Sequence, residues 1–284
     1  MTKKRNAPPL HRLAARLILI ATVMGSGSSM AQHYKNYTLN FRNGIGPNNC
    51  LEEGTSPLRY SGPGLNLGTD LTFEWRRNVI VYRQDISAAL LSDSKSIASG
   101  YGGYWHGSIG YLYRWSKPER PSYRGWVGGG IGDQQFITAN SSLGNAAFGH
   151  CNFFDVELLA RVELDFKIRK KKEEKRFTAF GALQLPLITS MHRPGYAYIP
   201  NANANEIGKF KLTDDSYESI WKAFSGVITE TGIAYRLRNQ NRIALSYGWH
   251  FRNTGKKGIY RFDHAQHLFQ CEFTFNFKHR ENEN

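Results

Sequence analysis

Apolar and polar side chains alternate with a period of two residues along most of the chain. The longest alternating segments lie at 64–76, 103–115, 153–168, 221–238 and 267–277. This period is that of a β-strand with one apolar and one polar face. Several segments exceed the five to six residues typical of strands in soluble domains. The sequence therefore predicts an all-β fold of long, two-faced strands.

Ten such segments can be counted, and the connections between them alternate between short and long. The predicted strands lie near 34–43, 64–76, 79–91, 103–115, 123–137, 153–168, 176–189, 221–238, 242–251 and 267–277. Bacterial transmembrane barrels have even strand numbers, short turns on one side and longer loops on the other. We expect a single up-and-down antiparallel transmembrane β-barrel of about ten strands, with eight or twelve as alternatives. A soluble sandwich or lipocalin-like barrel is the competing interpretation.

The N-terminal segment has the pattern of a secretory signal. Basic residues precede the apolar run 17–24, and small residues follow at Ser29 and Ala31. We expect a cleaved signal peptide at 1–31, a barrel at 32–277 and a polar periplasmic tail at 278–284. No later segment reaches the roughly 20 apolar residues of a spanning helix. Membrane insertion must then use strands, which predicts a multi-pass barrel in the outer membrane.

Three cysteines are present, at Cys50, Cys151 and Cys271. Cys50 and Cys151 fall in segments predicted to be polar loops, whereas Cys271 lies within the last predicted strand. Export to an oxidising compartment favours a disulfide between Cys50 and Cys151. The spacing of the cysteines does not match a metal site.

The polar faces of the predicted strands carry many charges. These residues are Asp70, Glu74, Arg114, Asp155, Glu157, Arg161, Glu163, Glu230, Arg236 and Glu272. A barrel of about ten strands has little free interior volume, so a diffusion pore is not expected. Charges that face a closed lumen need partners. We therefore predict a polar plug of ion pairs.

The formal net charge is +14, but the sequence contains no nucleic-acid motif and an exported barrel does not meet the genome. Basic residues in or beside the predicted outer loops favour the phosphates of lipopolysaccharide as a partner. The strongest candidates are Arg252, Lys256, Lys257 and Arg261. Ordinary solvated loop charges are the alternative, and an envelope protein is a further possible partner.

The last predicted hairpin contains His250-Phe251-Arg252-Asn253-Thr254-Gly255. It resembles the His-x-Ser-Asn-Ala-Gly segment of outer-membrane lipid A deacylases of the PagL type. The resemblance covers less than a tenth of the chain. It implies hydrolysis of an ester-linked acyl chain by a Ser, a His and an acid, with His250 as the base and Asp263 near the acid position. Arg252 stands where that family has its serine.

His106 and Ser108 offer a second candidate pair with His-x-Ser spacing. Residues i and i+2 share a strand face, so the hydroxyl could approach the imidazole. His250, Asp263, His264 and His267 offer a possible metal site, but short His clusters in loops are commoner than metal sites. We expect neither a metal nor another cofactor.

Three hypotheses follow for an integral outer-membrane barrel. The most specific is a lipid A deacylase-like ester hydrolase that acts on lipopolysaccharide. The second is a non-catalytic barrel that serves as an assembly component, an anchor or an adhesin. The third is a narrow transporter for a small solute or fatty acid.

Overall fold

The computed structural model describes residues 36–52, 56–93, 99–116, 122–139, 148–170, 173–194, 217–254 and 261–278. The predicted signal peptide 1–31 and residues 279–284 of the predicted tail lie outside them. The described strands are β1 (Asn36–Glu52), β2 (Ser56–Trp75), β3 (Asn78–Asp93), β4 (Ser99–Arg114), β5 (Tyr123–Ala139), β6 (Phe148–Lys170), β7 (Glu173–Pro194), β8 (Tyr217–Ala223), β9 (Gly226–Arg236), β10 (Arg242–Asn253) and β11 (Phe262–Lys278). In the described part of the chain, no helix is long and apolar enough to cross a membrane.

The strands form one closed antiparallel barrel. Each strand from β1 to β7 pairs with its sequence neighbours, β9 pairs with both β7 and β10, and β11 pairs with β10. Pairing of β1 with β11 over Asn36–Lys278 to Glu52–Phe262 closes the ring. The predicted ten-stranded up-and-down barrel is therefore confirmed. β8 is an additional strand outside this ring, and it pairs with β7.

The predicted strand 221–238 is divided in two. Phe224 has a φ of 50°, which interrupts the extended backbone between β8 and β9. Its N–H donates to the Leu187 carbonyl at 3.3 Å, one residue after Pro186. Since proline cannot donate to the ladder, the pairing changes register here. β7 consequently pairs with β9 on one side of Pro186 and with β8 on the other.

Several segments predicted as loops are strands. We call the end with both termini and the short turns the turn end, and the opposite end the loop end. The predicted loop 44–63 is mostly strand, because β1 and β2 continue toward the loop end as a paired ladder. Pro47 and Pro63 stand opposite each other in that ladder. Prolines and glycines hide strand continuation in a sequence, since both are depleted in strands.

The two faces of the barrel differ sharply in polarity. Large apolar side chains are exposed on the exterior of every ring strand, and on β7 they are confined to its second half. Examples are Ile45, Leu67, Ile86, Leu245 and Phe269. The buried interior carries mainly polar and charged side chains. Aromatic residues face outward at the turn end, where Tyr37 stacks on Phe277. This inverted distribution is that of a barrel whose exterior contacts lipid.

Gly46 provides a test of ring closure. A Cβ at this position would lie 1.7 Å from the His267 carbonyl oxygen of β11, a backbone atom that cannot rotate away. We expect Gly46→Ala to lower the free energy of unfolding by at least about 2 kcal/mol. Gly103→Ala is the matched control, since its Cβ would meet no atom closer than 3.8 Å. Urea titration in lipid vesicles followed by tryptophan fluorescence measures both; equal effects would contradict the assigned β1–β11 register.

Candidate functional site

A central layer of ion pairs crosses the lumen. The buried Arg42 guanidinium contacts Asp70 and donates to Asp85 at 2.9 Å. Arg83 donates to Asp70 at 3.0 Å and to Glu230 at 2.8 Å. Each arginine thus bridges two carboxylates that come from different strands. The layer joins β1, β2, β3 and β9 through their side chains.

A second layer lies nearer the turn end. Arg124 donates to Glu163 at 2.6 Å and to Asp165 at 2.6 Å. Arg161 and Arg242 reach the other oxygen of Glu163 at 2.7 and 3.5 Å. One carboxylate is therefore surrounded by three guanidinium groups, which compensates for its burial. The predicted polar plug of lumen ion pairs is confirmed by these two layers.

A third site lies nearer the loop end and is formed by Asp155 and Arg252. The two side chains make a bidentate ion pair, with Arg252 Nη2 at 2.6 Å and Nη1 at 3.0 Å from the two carboxylate oxygens. Thr189 and Gln134 also donate to Asp155, at 2.5 and 3.2 Å. Arg252 donates to the Ser225 hydroxyl at 2.6 Å. The pair is deeply buried, with side-chain exposures of 0% for Asp155 and 2% for Arg252.

An aromatic cap closes the lumen above this pair. Its buried members are Cys50, Ala89, Leu91, Tyr104, Phe136, Cys151, Phe153, Met191 and Phe262. The Phe136 ring contacts the rings of Tyr104 and Phe262, each at a centroid distance of 4.8 Å. The Phe153 ring centroid lies 4.9 Å from the Arg252 guanidinium carbon, and this contact links the cap to the ion pair. The pocket beside Tyr104 has room for about one water molecule.

The predicted catalytic histidines lie inside the closed lumen. His106 is fully buried; its Nε2 lies 3.2 Å from Gln184 and its Nδ1 lies 3.7 Å from Asp85. Its contacts are therefore with β7 and β3, and Ser108 shares the inner face of β4. His250 is also buried, and its ring lies 6.0 Å from that of Tyr104. Among the described residues, both imidazoles are therefore enclosed and do not face the lipid.

Asp263 is on the opposite face of the barrel wall from His250. Inward-facing residues of the final hairpin are buried, as for His250, Arg252 and His264. Asp263 alternates with these residues and is partly exposed, and so is His267. The structure does not bring His250 and Asp263 together. Within the described ranges, His, Cys, Asp and Glu side chains form no group of three or more that could hold a metal.

The predicted phosphate-binding residues have different positions. Arg252 was expected in an outer loop, but it lies in β10. Its side chain faces inward at this position and forms an ion pair with Asp155. Arg261 is 37% exposed and donates to Asp263 at 3.0 Å. Lys256 and Lys257 lie outside the described residues.

A small cluster, which we call the rim cluster, surrounds Arg261 at the loop end. It consists of Lys222, Asn253, Arg261 and Asp263. Asn253 donates to Asp263 at 2.6 Å, and the Lys222 ammonium donates to the Asn253 carbonyl at 2.9 Å. Arg261 therefore contacts the Asp263 carboxylate directly, and Lys222 of β8 is joined to it through Asn253. Lys222 is not among the four basic residues that the sequence analysis singled out.

Cys50 and Cys151 were expected in polar loops, but both lie in strands and are buried in the aromatic cap. The cap thus brings two residues from β1 and β6 into one cluster, and the disulfide between them stays a prediction. Cys271 faces outward and is exposed.

The fold and the filled lumen define the class of the protein, which is an outer-membrane β-barrel. No protein-family model matches the chain. No curated protein matches it.

Solved structures with a similar barrel come from bacterial outer membranes. The transport unit of the autotransporter AIDA-I from Escherichia coli has 7% identity and a TM-score of 0.47, covering 85% of this chain and 90% of that one. The outer membrane protease OmpT from Escherichia coli has 7% identity and a TM-score of 0.46, covering 85% and 97%. Neisserial surface protein A has 6% identity and a TM-score of 0.36, covering 86% and 97%. These similarities are to barrel architecture and not to activity.

The Asp155–Arg252 pair gives a prediction about stability. Arg252→Met leaves a buried carboxylate without its cation, and we expect a loss of about 3–5 kcal/mol of unfolding free energy. The double variant Arg252→Met/Asp155→Leu removes both charges and should recover most of this loss. Guanidinium unfolding in lipid vesicles measures both variants. A double variant as unstable as the single one would show that the ion pair is not the cause.

Proposed function

We propose that the chain is an integral outer-membrane barrel with a sealed lumen, which acts through its outward-facing surface. Closure of the lumen is the observation that supports this most directly. Ion-paired layers around Arg42, Arg124 and Arg252 fill the interior, and the aromatic cap covers them. Opening a solute path would separate buried charges, at a cost of several kcal/mol per ion. Transport is therefore the least supported of the three hypotheses.

The rim cluster favours phosphate-bearing lipid of the outer leaflet, such as lipopolysaccharide, as the partner. Lys222 and Arg261 lie at the loop end, near the outward-facing Trp249 and Phe251 of the same wall. Arginine and lysine bind phosphate through charge-assisted hydrogen bonds. Aromatic side chains below the cations would contact the acyl chains. Lys256 and Lys257 belong to the connection between β10 and β11 and add two positive charges to it.

Charge removal at the rim tests this proposal. We expect the triple variant Lys256→Gln/Lys257→Gln/Arg261→Gln to bind lipid A about tenfold or more weakly, since each basic residue contributes about 1 kcal/mol at an anionic surface. The matched control is Arg76→Gln/Arg77→Gln, which removes charge from the β2–β3 turn at the opposite end. Native mass spectrometry of lipid retained by the purified barrel gives the affinities.

Dephosphorylated lipid A serves as the second arm of this experiment. Retention of dephosphorylated lipid A should be weak for wild type and equally weak for the triple variant. Equal retention of both lipids by wild type would rule out phosphate as the recognised group.

A lipid A deacylase-like hydrolase is the second candidate, and one observation favours it. His267 faces outward in the final hairpin and its Nδ1 lies 2.6 Å from the Tyr247 hydroxyl. A lipid-facing imidazole could remove a proton from water as the water oxygen attacks an acyl ester carbon. The ester C–O bond would then break and release the acyl chain as a fatty acid, and the sugar oxygen would take the proton back from the imidazolium. We therefore propose His267, and not the enclosed His250 or His106, as the candidate base.

Mass spectrometry of lipid A separates the two candidates. A non-catalytic barrel predicts the same lipid A mass in cells with and without the gene. Loss of one acyl chain that wild type and His250→Ala produce, but His267→Ala does not, would establish the hydrolase and its outward base. His250→Ala is the control because it alters the same hairpin on its buried face.

A further inference from the structure

The mouth of the lumen at the turn end carries more positive than negative charge. Short turns of bacterial barrels face the periplasm, so this mouth opens away from the rim cluster. Five guanidinium groups from five strands line it together with three carboxylates, which leaves two positive charges in excess. The eight residues are Arg114, Arg124, Arg161, Arg236, Arg242, Glu74, Glu163 and Asp165.

Two of these arginines stand directly opposite each other. Arg236 at the end of β9 is the cross-strand partner of Arg242 at the start of β10. Both alternate with exposed outward residues, so both face the lumen. Arg176 and Lys167 continue this row onto β7 and β6, and they add no carboxylate to it. Like charges directly opposite each other destabilise an antiparallel pair, so an anion between them would be stabilising.

The carboxylates of the mouth do not use all the donors of the two opposed arginines. Arg124 holds Glu163 and Asp165 at 2.6 Å each. Arg236 reaches Asp165 only at 3.3 Å, and Arg242 reaches Glu163 only at 3.5 Å. A guanidinium group has five N–H donors. The Nε of Arg242 is enclosed and has no hydrogen-bond partner among the described residues.

A second enclosed donor lies beside the same arginines. Trp126 is 6% exposed, and its indole N–H has no hydrogen-bond partner in the described part of the chain. The Arg161 guanidinium carbon lies 6.0 Å from the centroid of the Trp126 ring. Arg161 also donates to the Glu163 oxygen that Arg242 reaches. Both enclosed groups are donors, so a ligand that supplies acceptor atoms would satisfy them.

We propose that Trp126, Arg161, Arg236 and Arg242, which we call the mouth site, bind a soluble, doubly charged phosphate ester. A dianion matches the excess of two positive charges. Phosphate oxygens accept paired hydrogen bonds from guanidinium groups. The Arg161, Arg236 and Arg242 side chains are 37%, 21% and 23% exposed, so water reaches them. They face the lumen and not the lipid, which favours a ligand from solution over a phospholipid headgroup.

This inference does not rest on the proposed function. The mouth site and the rim cluster lie at opposite ends of the barrel. The rim variant Lys256→Gln/Lys257→Gln/Arg261→Gln should bind the soluble ester as wild type does. Either proposal can therefore fail while the other holds.

Calorimetric titration of the full-length barrel in detergent tests the mouth site, with glycerol phosphate as the probe. We expect Arg236→Gln/Arg242→Gln to weaken binding at least about tenfold, because charge-assisted contacts are lost. The matched control is Arg76→Gln/Arg77→Gln, which removes the same charge from the exposed β2–β3 turn at the same end. Heat-modifiable migration on gels checks that each variant is a folded barrel. Unchanged binding by the first variant, or an equal loss in the control, overturns the proposal.

The charge of the probe gives a second test. A phosphate ester loses one charge between about pH 8 and about pH 5, since its second pKa is about 6. Its binding should weaken several-fold over this range, whereas sulfate stays doubly charged and should bind no more weakly. Equal weakening of both anions contradicts the proposal.

Nuclear magnetic resonance reports on the site itself. The indole N–H resonance of Trp126, assigned by its loss in Trp126→Phe, should shift when the ester is added to wild type but not to Arg236→Gln/Arg242→Gln. An unmoved resonance in wild type overturns the proposal. A phospholipid phosphorus signal that co-purifies with wild type but not with the double variant also overturns it, since the ligand would then be a lipid headgroup.

Discussion

Pairing of charge inside the barrel is the constraint on which the rest of the structure depends. The apolar face of every strand contacts lipid, so the side chains of the polar face must fill an interior from which bulk water is largely excluded. The structure meets this requirement by placing each central arginine between carboxylates from different strands, as with Arg42 between Asp70 and Asp85. These contacts cross the lumen and therefore also fix the positions of the strands around it. The same ion pairs that stabilise the barrel therefore also fill and close its lumen.

The final hairpin shows how strand parity decides what a motif can do. His250 and Arg252 face the lumen, whereas Asn253 and Asp263 face outward. Residues adjacent in sequence are thus separated by the barrel wall. The resemblance to the lipid A deacylase segment matches spacing along the chain, and it does not test which face each residue takes. The polar side chains that face outward in this hairpin are those of His267, Tyr247, Asn253 and Asp263.

Alternation in the sequence predicted the strand number, the closed barrel and the ion-paired lumen, because these depend only on which residues share a face. It did not predict how far strands continue toward the loop end. Gly46, Pro47 and Pro63 interrupt the pattern, yet β1 and β2 remain paired through them. The position of Arg252 was missed because the predicted strand ended at residue 251, whereas β10 continues to Asn253. The Arg83–Glu230 and Arg252–Asp155 pairs join strands that are far apart in the sequence and meet only across the closed barrel, which local sequence cannot report.

Because the lumen is filled, we expect the function of the barrel to depend on its exterior. Most side chains on that exterior are apolar, as contact with lipid requires. A polar residue there therefore indicates a possible functional role, whereas a polar residue that is paired in the lumen does not. Arg261 and Lys222 at the loop end are such residues. Behind them, ion pairs inside the barrel join strands across the lumen. The recognition that we propose for the loop end of this barrel rests on a few outward side chains, because the buried arginines of its described interior are already paired with carboxylates.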